Sequence, residues 1–325
     1  MRLLRIDHTT RLKYSEPAAE SVIELRMSPP STDDQTVLGF KLRTSPPARL
    51  TTYRDGFGNR VDLFNLLPRH AEIAVHSSSC VRLHRREMQP RAEAARWTGS
   101  PCQDLDAMEY LRPSRMIQFT DEVKEFCAGV KLPEGPLAGA VRTIVEAVRG
   151  RLEYIPKVTH ADTTVAEALE LGRGVCQDMA HLFLAAARHH GMPARYVSGY
   201  IDQPGEMATH AWVQVWGGPD CGWLDMDPTH GKWVAGEHIV TAVGRDFADV
   251  PPNRGAWRGD AEESIEVTVN VKPVERVPAD LIELGEPPAW SSSVPNHRPR
   301  RNTRGGPVQQ VRNPEIRQQQ SQQQQ

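Results

Sequence analysis

Residues 172–200 read GRGVCQDMAHLFLAAARHHGMPARYVSGY, and the chain continues as THAWVQVW at 209–216 and GWLDMDPT at 222–229. Behind the glycine-rich entry, Cys176, Met179, Ala180, Phe183, Leu184 and Ala187 fall on one helical stripe, and Gly191 supplies the stop. ARYVSGYI, THAWVQVW and GWLDMDPT are then three strand candidates, the last two joined by the hairpin-like link GGPDCG. One buried helix followed by short antiparallel strands predicts an α+β fold.

The entry to that helix is chemically distinctive. A cysteine nucleophile works as a thiolate, so it needs a site that favours the anion and keeps the sulfur reachable. Cys176 stands where a glycine loop enters a helix, and there the helix dipole and free N–H groups favour negative charge. The same N–H groups would hold an oxyanion, worth ~3–4 kcal/mol per donor where measured. On its own, Cys176 also reads as a small buried hydrophobe of the apolar stripe. Its partners shift the weight.

Period two puts His210, Trp212, Gln214 and Trp216 on one face of a strand, and Trp223, Asp225 and Asp227 on one face of the next. If Trp216 opposes Trp223, Asp227 opposes Trp212 and lies one diagonal step from His210, while Asp225 lies two steps away. Diagonal neighbours are ~7–8 Å apart, within side-chain reach. This register favours Asp227 over Asp225 as the acid that orients His210. A slip by two residues would reopen the choice. A cysteine at a helix start, a strand histidine and an in-phase strand aspartate make a thiol triad of Cys176, His210 and Asp227.

His230 is a rival base or a cleft residue. Asp178, in the first helical turn, is a cap or loop anchor that could also touch substrate, and the pair His189-His190 suits the helix C-terminus. Cys176, His181, His210 and Cys221 fit no standard zinc spacing, so no metal is expected.

Outward from this stretch, residues 1–86 hold short alternating runs broken by Pro, Gly and Asp, with Asp55-Gly56-Phe57-Gly58-Asn59 as a turn; a small antiparallel β domain is expected. Residues 87–115 show no clean period and read as a connecting segment. Residues 116–277 form the catalytic core: a helix capped at Thr120, a second over 136–150, and a capping box at Thr164-Val165-Ala166-Glu167 opening a third that ends at Gly172. The alternating IEVTVNVK at 265–272 is its closing strand. Residues 278–325 are rich in Pro, Arg and Gln, lack apolar content and are expected to be disordered.

The chain has 325 residues with a net charge of −2, so no global field draws it to nucleic acid or anionic lipid. The first residues lack a signal-like apolar run, and nothing approaches the ~18 apolar residues of a membrane span. Five cysteines, an odd number without a CxxC, argue against a disulfide framework and suggest a reducing cytoplasm.

GRGVCQDMAHLFLAAARHHGMPARYVSGY, THAWVQVW and GWLDMDPTHG together resemble the core of the bacterial transglutaminase-like superfamily. GRDFADVPPNRGAW at 244–257 resembles the segment that follows this core, and SVIELRMSP and DGFGNRV resemble the β-rich region that often precedes it. The resemblance covers roughly residues 1–275 and implies a papain/transglutaminase-like core, a nucleophile helix packed on an antiparallel sheet. It assigns the catalytic roles to Cys176, His210 and Asp227. Larger relatives use an upstream tryptophan at the oxyanion, but no Trp lies between Trp97 and Cys176. Tyr154, Gln177 and Trp212 are therefore the oxyanion or substrate candidates, beside Asp178 and His230. The calcium-binding regions of the animal enzymes are not recognisable, and no cofactor is expected. The implied chemistry is acyl transfer from a peptide or protein amide substrate through a cysteine thioester. Hydrolysis is the expected outcome; amine crosslinking and an inert peptide-binding module are the alternatives.

Overall fold

The computed structural model describes residues 2–84, 88–99, 102, 104–202 and 209–282. Five strands open the chain: β1 (Arg2–Leu25), β2 (Gln35–Ser45), β3 (Thr51–Arg54), β4 (Arg60–Leu66) and β5 (His70–Leu83). In β1, Leu4, Ile6, His8, Thr10, Leu12 and Tyr14 alternate inward, the pattern that one buried face imposes. The strand bends where its pairing with β5 shifts between Lys13 and Ala18. Its first half pairs with β5 and its second half with β4. One strand thus serves both layers of a sandwich whose core holds Leu12, Ile23, Leu25, Phe64, Ile73 and Val75. The expected turn joins β3 to β4, where Asp55 Oδ1 accepts from the N–H groups of Phe57 and Asn59 and Gly58 takes φ +81°.

The described residues of 87–115 include helical segments where a plain connector was expected. Met88–Ala94 form helix α1, with Met88 and Ala92 buried. Two helical turns show too few apolar positions to reveal a period, and Pro90 sits in the first turn, where its missing N–H is harmless. Four further helices build the core, two of them with the expected caps. These are α2 (Asp121–Gly129, capped by Thr120), α3 (Leu137–Arg151), α4 (Val165–Leu171) and α5 (Cys176–His189). Both halves of the capping box are present at Thr164 and Glu167, and Gly172 closes α4 in the left-handed region at φ +65°.

Strands β6 (Ala194–Ile201), β7 (Thr209–Trp216), β8 (Trp223–Asp227), β9 (Lys232–Trp233) and β10 (His238–Gly244) make an antiparallel sheet of order β9-β8-β7-β6-β10. Val213, Val215, Leu224 and Met226 join the core formed with Leu182, Phe183 and Ala186 of α5. The register is the one assumed from the sequence: Trp216 opposes Trp223 and Gln214 opposes Asp225.

Two further strands return to the N-terminal sandwich. β11 (Asn253–Arg258) pairs with the second half of β1, and β12 (Glu263–Pro273) with its first half. The closing strand grouped with the catalytic core is therefore a strand of the other sheet. Its alternation announced a strand with one apolar face, and no local feature says which sheet receives it. The tail expected to be disordered begins with a short helix, Ala279–Ile282, that buries Leu281, and its remainder, 283–325, lies outside the described residues.

The sandwich and the five-stranded sheet are stitched together along β10, the edge strand. The Gln35 amide donates to the Val240 carbonyl and accepts its N–H, both at 2.9 Å. Asn59 does the same at Val243, both at 2.8 Å. Two side-chain amides thus stand in for a neighbouring strand and satisfy backbone groups that an edge would leave open. Leu4, Ile6, Val81 and Leu83 pack on Tyr200 and Ile239 across the same seam.

Candidate active site

Val175 is the extended N-cap of α5 and Cys176 its first helical residue. Asp178 Oδ2 accepts from the Val175 N–H at 2.8 Å and from Thr159 Oγ1 at 2.7 Å, so Asp178 is the helix cap and loop anchor. Burial raises its carboxyl and these bonds lower it, with a net rise. A Cβ on Gly174 would lie 2.6 Å from Asp178 Cβ, so only glycine lets the loop pass over this cap. The first intrahelical bond is from the Met179 N–H to the Val175 carbonyl, which leaves the N–H groups of Cys176 and Gln177 without an intrahelical carbonyl.

His210, on β7, stands within hydrogen-bonding reach of the Cys176 thiol. Its Nε2 is 2.8 Å from Asp227 Oδ2, which leaves Nδ1 as the nitrogen for sulfur. Burial alone would lower the imidazole, but the bonds to Asp227 and Cys176 win and raise it to about 10. Asp227 is fully buried at the end of β8. Its Oδ1 accepts from the N–H groups of Thr229 (2.9 Å) and His230 (3.2 Å). Its Oδ2 meets three imidazoles: His210, His230 Nδ1 at 2.6 Å and His238 Nε2 at 3.0 Å. Burial pushes this carboxyl up, and the three imidazole bonds more than reverse that, holding it far below the usual carboxylate range.

Asp225 has other partners. Its Oδ1 accepts from Trp212 Nε1 at 2.8 Å and from Gln214 Nε2 at 2.9 Å. The two aspartates were expected to compete for His210, and the geometry gives it to Asp227.

The remaining candidates divide. Cys176, Gln177, Tyr154, His210 and His230 line one cavity of ≈ 690 Å³. Tyr154 is half-exposed on its wall. The Gln177 side chain is committed elsewhere, its Nε2 donating to the Ala161 carbonyl at 3.1 Å, so the backbone at 176–177 is the better oxyanion donor. Trp212 does not line this cavity. It is fully buried, stacked on His210 with centroids 6.2 Å apart, and its indole N–H is taken by Asp225. Trp212, a candidate for substrate contact, is instead the wall behind the imidazole. Gly199 makes room for it: a Cβ there would fall on the Ile239 carbonyl oxygen and 2.5 Å from Trp212 Cη2.

Sequence reasoning missed His238. It lies on a strand buried on both faces, so no alternation marks β10, and only the fold brings it to Asp227. Arg26, Tyr196 and Tyr200 also reach the cavity unannounced. The ligand atoms of His210, Asp227, His230 and His238 lie within 4.8 Å of one another, a donor set that would suit a zinc-class ion. Here, however, each ring nitrogen already meets the carboxylate oxygen at hydrogen-bond distance.

Two family models match the chain. Residues 124–228 match the transglutaminase-like superfamily, and residues 4–82 match the bacterial transglutaminase-like N-terminal region. An uncharacterised protein of Mycobacterium leprae is 33% identical over 283 residues, covering 82% of this chain and 98% of its own length. The chain belongs to the transglutaminase-like superfamily. An uncharacterised Mycobacterium tuberculosis protein is 35% identical over 294 residues, covering 83% of this chain and 93% of its own. Among solved structures, a Cytophaga hutchinsonii protein provisionally assigned as a cysteine protease superposes with a TM-score of 0.68 at 20% identity, over 85% of this chain and 93% of that one. The fold is thus shared over most of the chain.

Proposed function

We propose that this protein is a thiol acyl-transfer enzyme that cleaves peptide or carboxamide bonds through a Cys176 thioester. The observation that supports this is the line of Cys176, His210 and Asp227, with Cys176 and His210 on the wall of one cavity and the imidazole 2.8 Å from the carboxylate. The Cys176 thiolate attacks the amide carbonyl, and the N–H groups at 176–177 receive the oxyanion. His210 Nδ1–H then passes its proton to the nitrogen of the leaving amine as the C–N bond breaks. Water next adds to the thioester, His210 takes its proton, and the thiolate leaves as the carboxylic acid product forms. Asp227 keeps the imidazole's Nε2–H turned inward and stabilises the imidazolium throughout.

Hydrolysis is favoured because water needs no binding site of its own, whereas transfer requires an acceptor amine held beside the thioester. Five free thiols suit a reducing cytoplasm, and no helix among the described residues is long and apolar enough to cross a membrane. The test is alkylation followed by peptide mapping, then turnover of a peptide and amide library with and without an added primary amine. Cys176 should be labelled first, because it alone of the five thiols combines a helix start with a paired imidazole. Labelling of Cys102 or Cys221 ahead of it would sink the assignment. Product acid that gives way to an amine adduct would move the reading to crosslinking.

A further inference from the structure

We propose that His238 is a positioning residue of this site: from the edge strand β10 it holds the Asp227 carboxylate in the orientation that His210 requires. The inference rests on the thiol-enzyme reading for its consequence, but its geometry stands on the described residues alone. Asp227 Oδ1 is tied by two backbone N–H groups of the turn that follows β8. Those bonds hold the group by one oxygen, and a partner on Oδ2 braces it against rotation about the Cβ–Cγ bond. Of its three imidazole partners, His210 is the group to be oriented, and His230 is a near neighbour in sequence with 18% of its side chain exposed. His238 reaches Oδ2 at 3.0 Å with its side chain 1% exposed and, apart from His210 itself, is the partner that comes from a different strand.

The ring is itself held. Trp212 meets it edge-on with centroids 4.9 Å apart, between His238 and the stacking surface it offers to His210. Because His238 donates from Nε2, its Nδ1 is left as an acceptor, and Nδ1 is buried with no hydrogen-bond partner among the described residues. Glu237 Oε1 is 4.0 Å away. A residue kept only to fill space would be an aliphatic or aromatic side chain, free of that unsatisfied nitrogen. The fold tolerates the orphan to keep the other nitrogen on Asp227. The strand that carries His238 is in turn fastened by Gln35 and Asn59 at Val240 and Val243, so the N-terminal sandwich sets where this imidazole stands.

The full chain as two amide variants tests this. Gln at 238 places an amide N–H close to the position of Nε2, whereas Asn places it at the position of Nδ1, out of reach of Oδ2. His238→Gln should alkylate Cys176 with iodoacetamide within about twofold of the parent rate, and His238→Asn about tenfold more slowly, the factor expected for one lost bond to a charged acceptor. The downfield proton resonance of the His210 Nε2–H bonded to Asp227 should persist in His238→Gln and shift or broaden in His238→Asn. Equal alkylation and an unchanged resonance in a folded His238→Asn would overturn the proposal. So would equal losses in both variants at equal melting temperature, since the donor would then not matter. If either variant fails to fold, the other is read against the parent on the same resonance. These readouts need no substrate, so a protein that turns over no amide yet shows this pattern would fault the enzymatic reading and leave the role of His238 intact.

Discussion

Asp225 and Asp227 are two residues apart on one face of β8, and both are buried, 4% and 0% exposed. Their surroundings differ in kind. At the Asp225 end, an indole N–H and an amide N–H meet one oxygen, and burial, only partly offset by those bonds, pushes the carboxyl up to about 6. At the Asp227 end, three imidazoles and two backbone N–H groups occupy both oxygens and hold the group firmly ionised. Burial is common to both, so it cannot explain the contrast. What separates them is whether the partners can carry positive charge, and how many oxygens they occupy.

The largest test of that contrast is amide substitution. In Asp227→Asn the new NH2 must face either the imidazole donors or the backbone N–H groups, and it no longer stabilises an imidazolium. Turnover should fall by about 10³–10⁴, the loss seen where the orienting acid of a triad becomes an amide. Asp225→Asn keeps a carbonyl oxygen for both of its bonds, and turnover should stay within about fivefold of the parent. Similar, small effects from both would reduce Asp227 to an anchor of the turn before Pro228. A larger loss at Asp225 would overturn the pairing of His210 with Asp227.

A good part of this pair was legible in advance. Period-two alternation put His210, Trp212, Asp225 and Asp227 in phase, and a short hairpin link set the register that chose between the acids. The capping box at Thr164 and the glycine entry to Cys176 were also visible, because caps are local chemistry. What escaped was long-range. Glu263–Pro273 crosses some 250 residues to pair with Leu4–Tyr14, and the apolar β10 hides the histidine that reaches Asp227. The N–H groups of Trp212 and Gln177 are taken by Asp225 and the Ala161 carbonyl, and a sequence does not show which partner an indole or amide N–H has already met.

The wall behind His210 gives the second test. Gly199 opposes His210 across the ladder, and a Cβ there meets both the Ile239 carbonyl and the Trp212 ring. Backbone cannot yield cheaply, so Gly199→Ala should destabilise by about 2–3 kcal/mol and lower Tm by roughly 5–10 °C. The displaced indole should also loosen its bond to Asp225, so the two carboxylates would be perturbed through one substitution. An unchanged Tm would mean that Trp212 has space to retreat and is not the fixed wall described here.

The smallest expected effect isolates the energetics of Asp225 from those of Asp227. A carboxyl whose folded pKa is about 6, against ~3.9 unfolded, favours the folded state fully only while it is protonated. That contribution is present below about pH 4 and is lost as pH rises through 6, when an acid buried beside Asp34 must ionise. Asp227, depressed instead, works in the opposite sense: its contribution is present above about pH 4 and is lost as pH falls below it. Asp225→Asn removes the first effect and leaves the second. Both of its bonds fall on Oδ1, which an asparagine keeps as its carbonyl, so the comparison is close to isosteric. The Tm of Asp225→Asn should therefore match the parent near pH 4 and exceed it by a few degrees at pH 7, while both proteins lose stability together below pH 4. A difference that is flat with pH would show that Asp225 ionises in the fold as easily as in the unfolded chain, and that burial without a cationic partner does not set its behaviour.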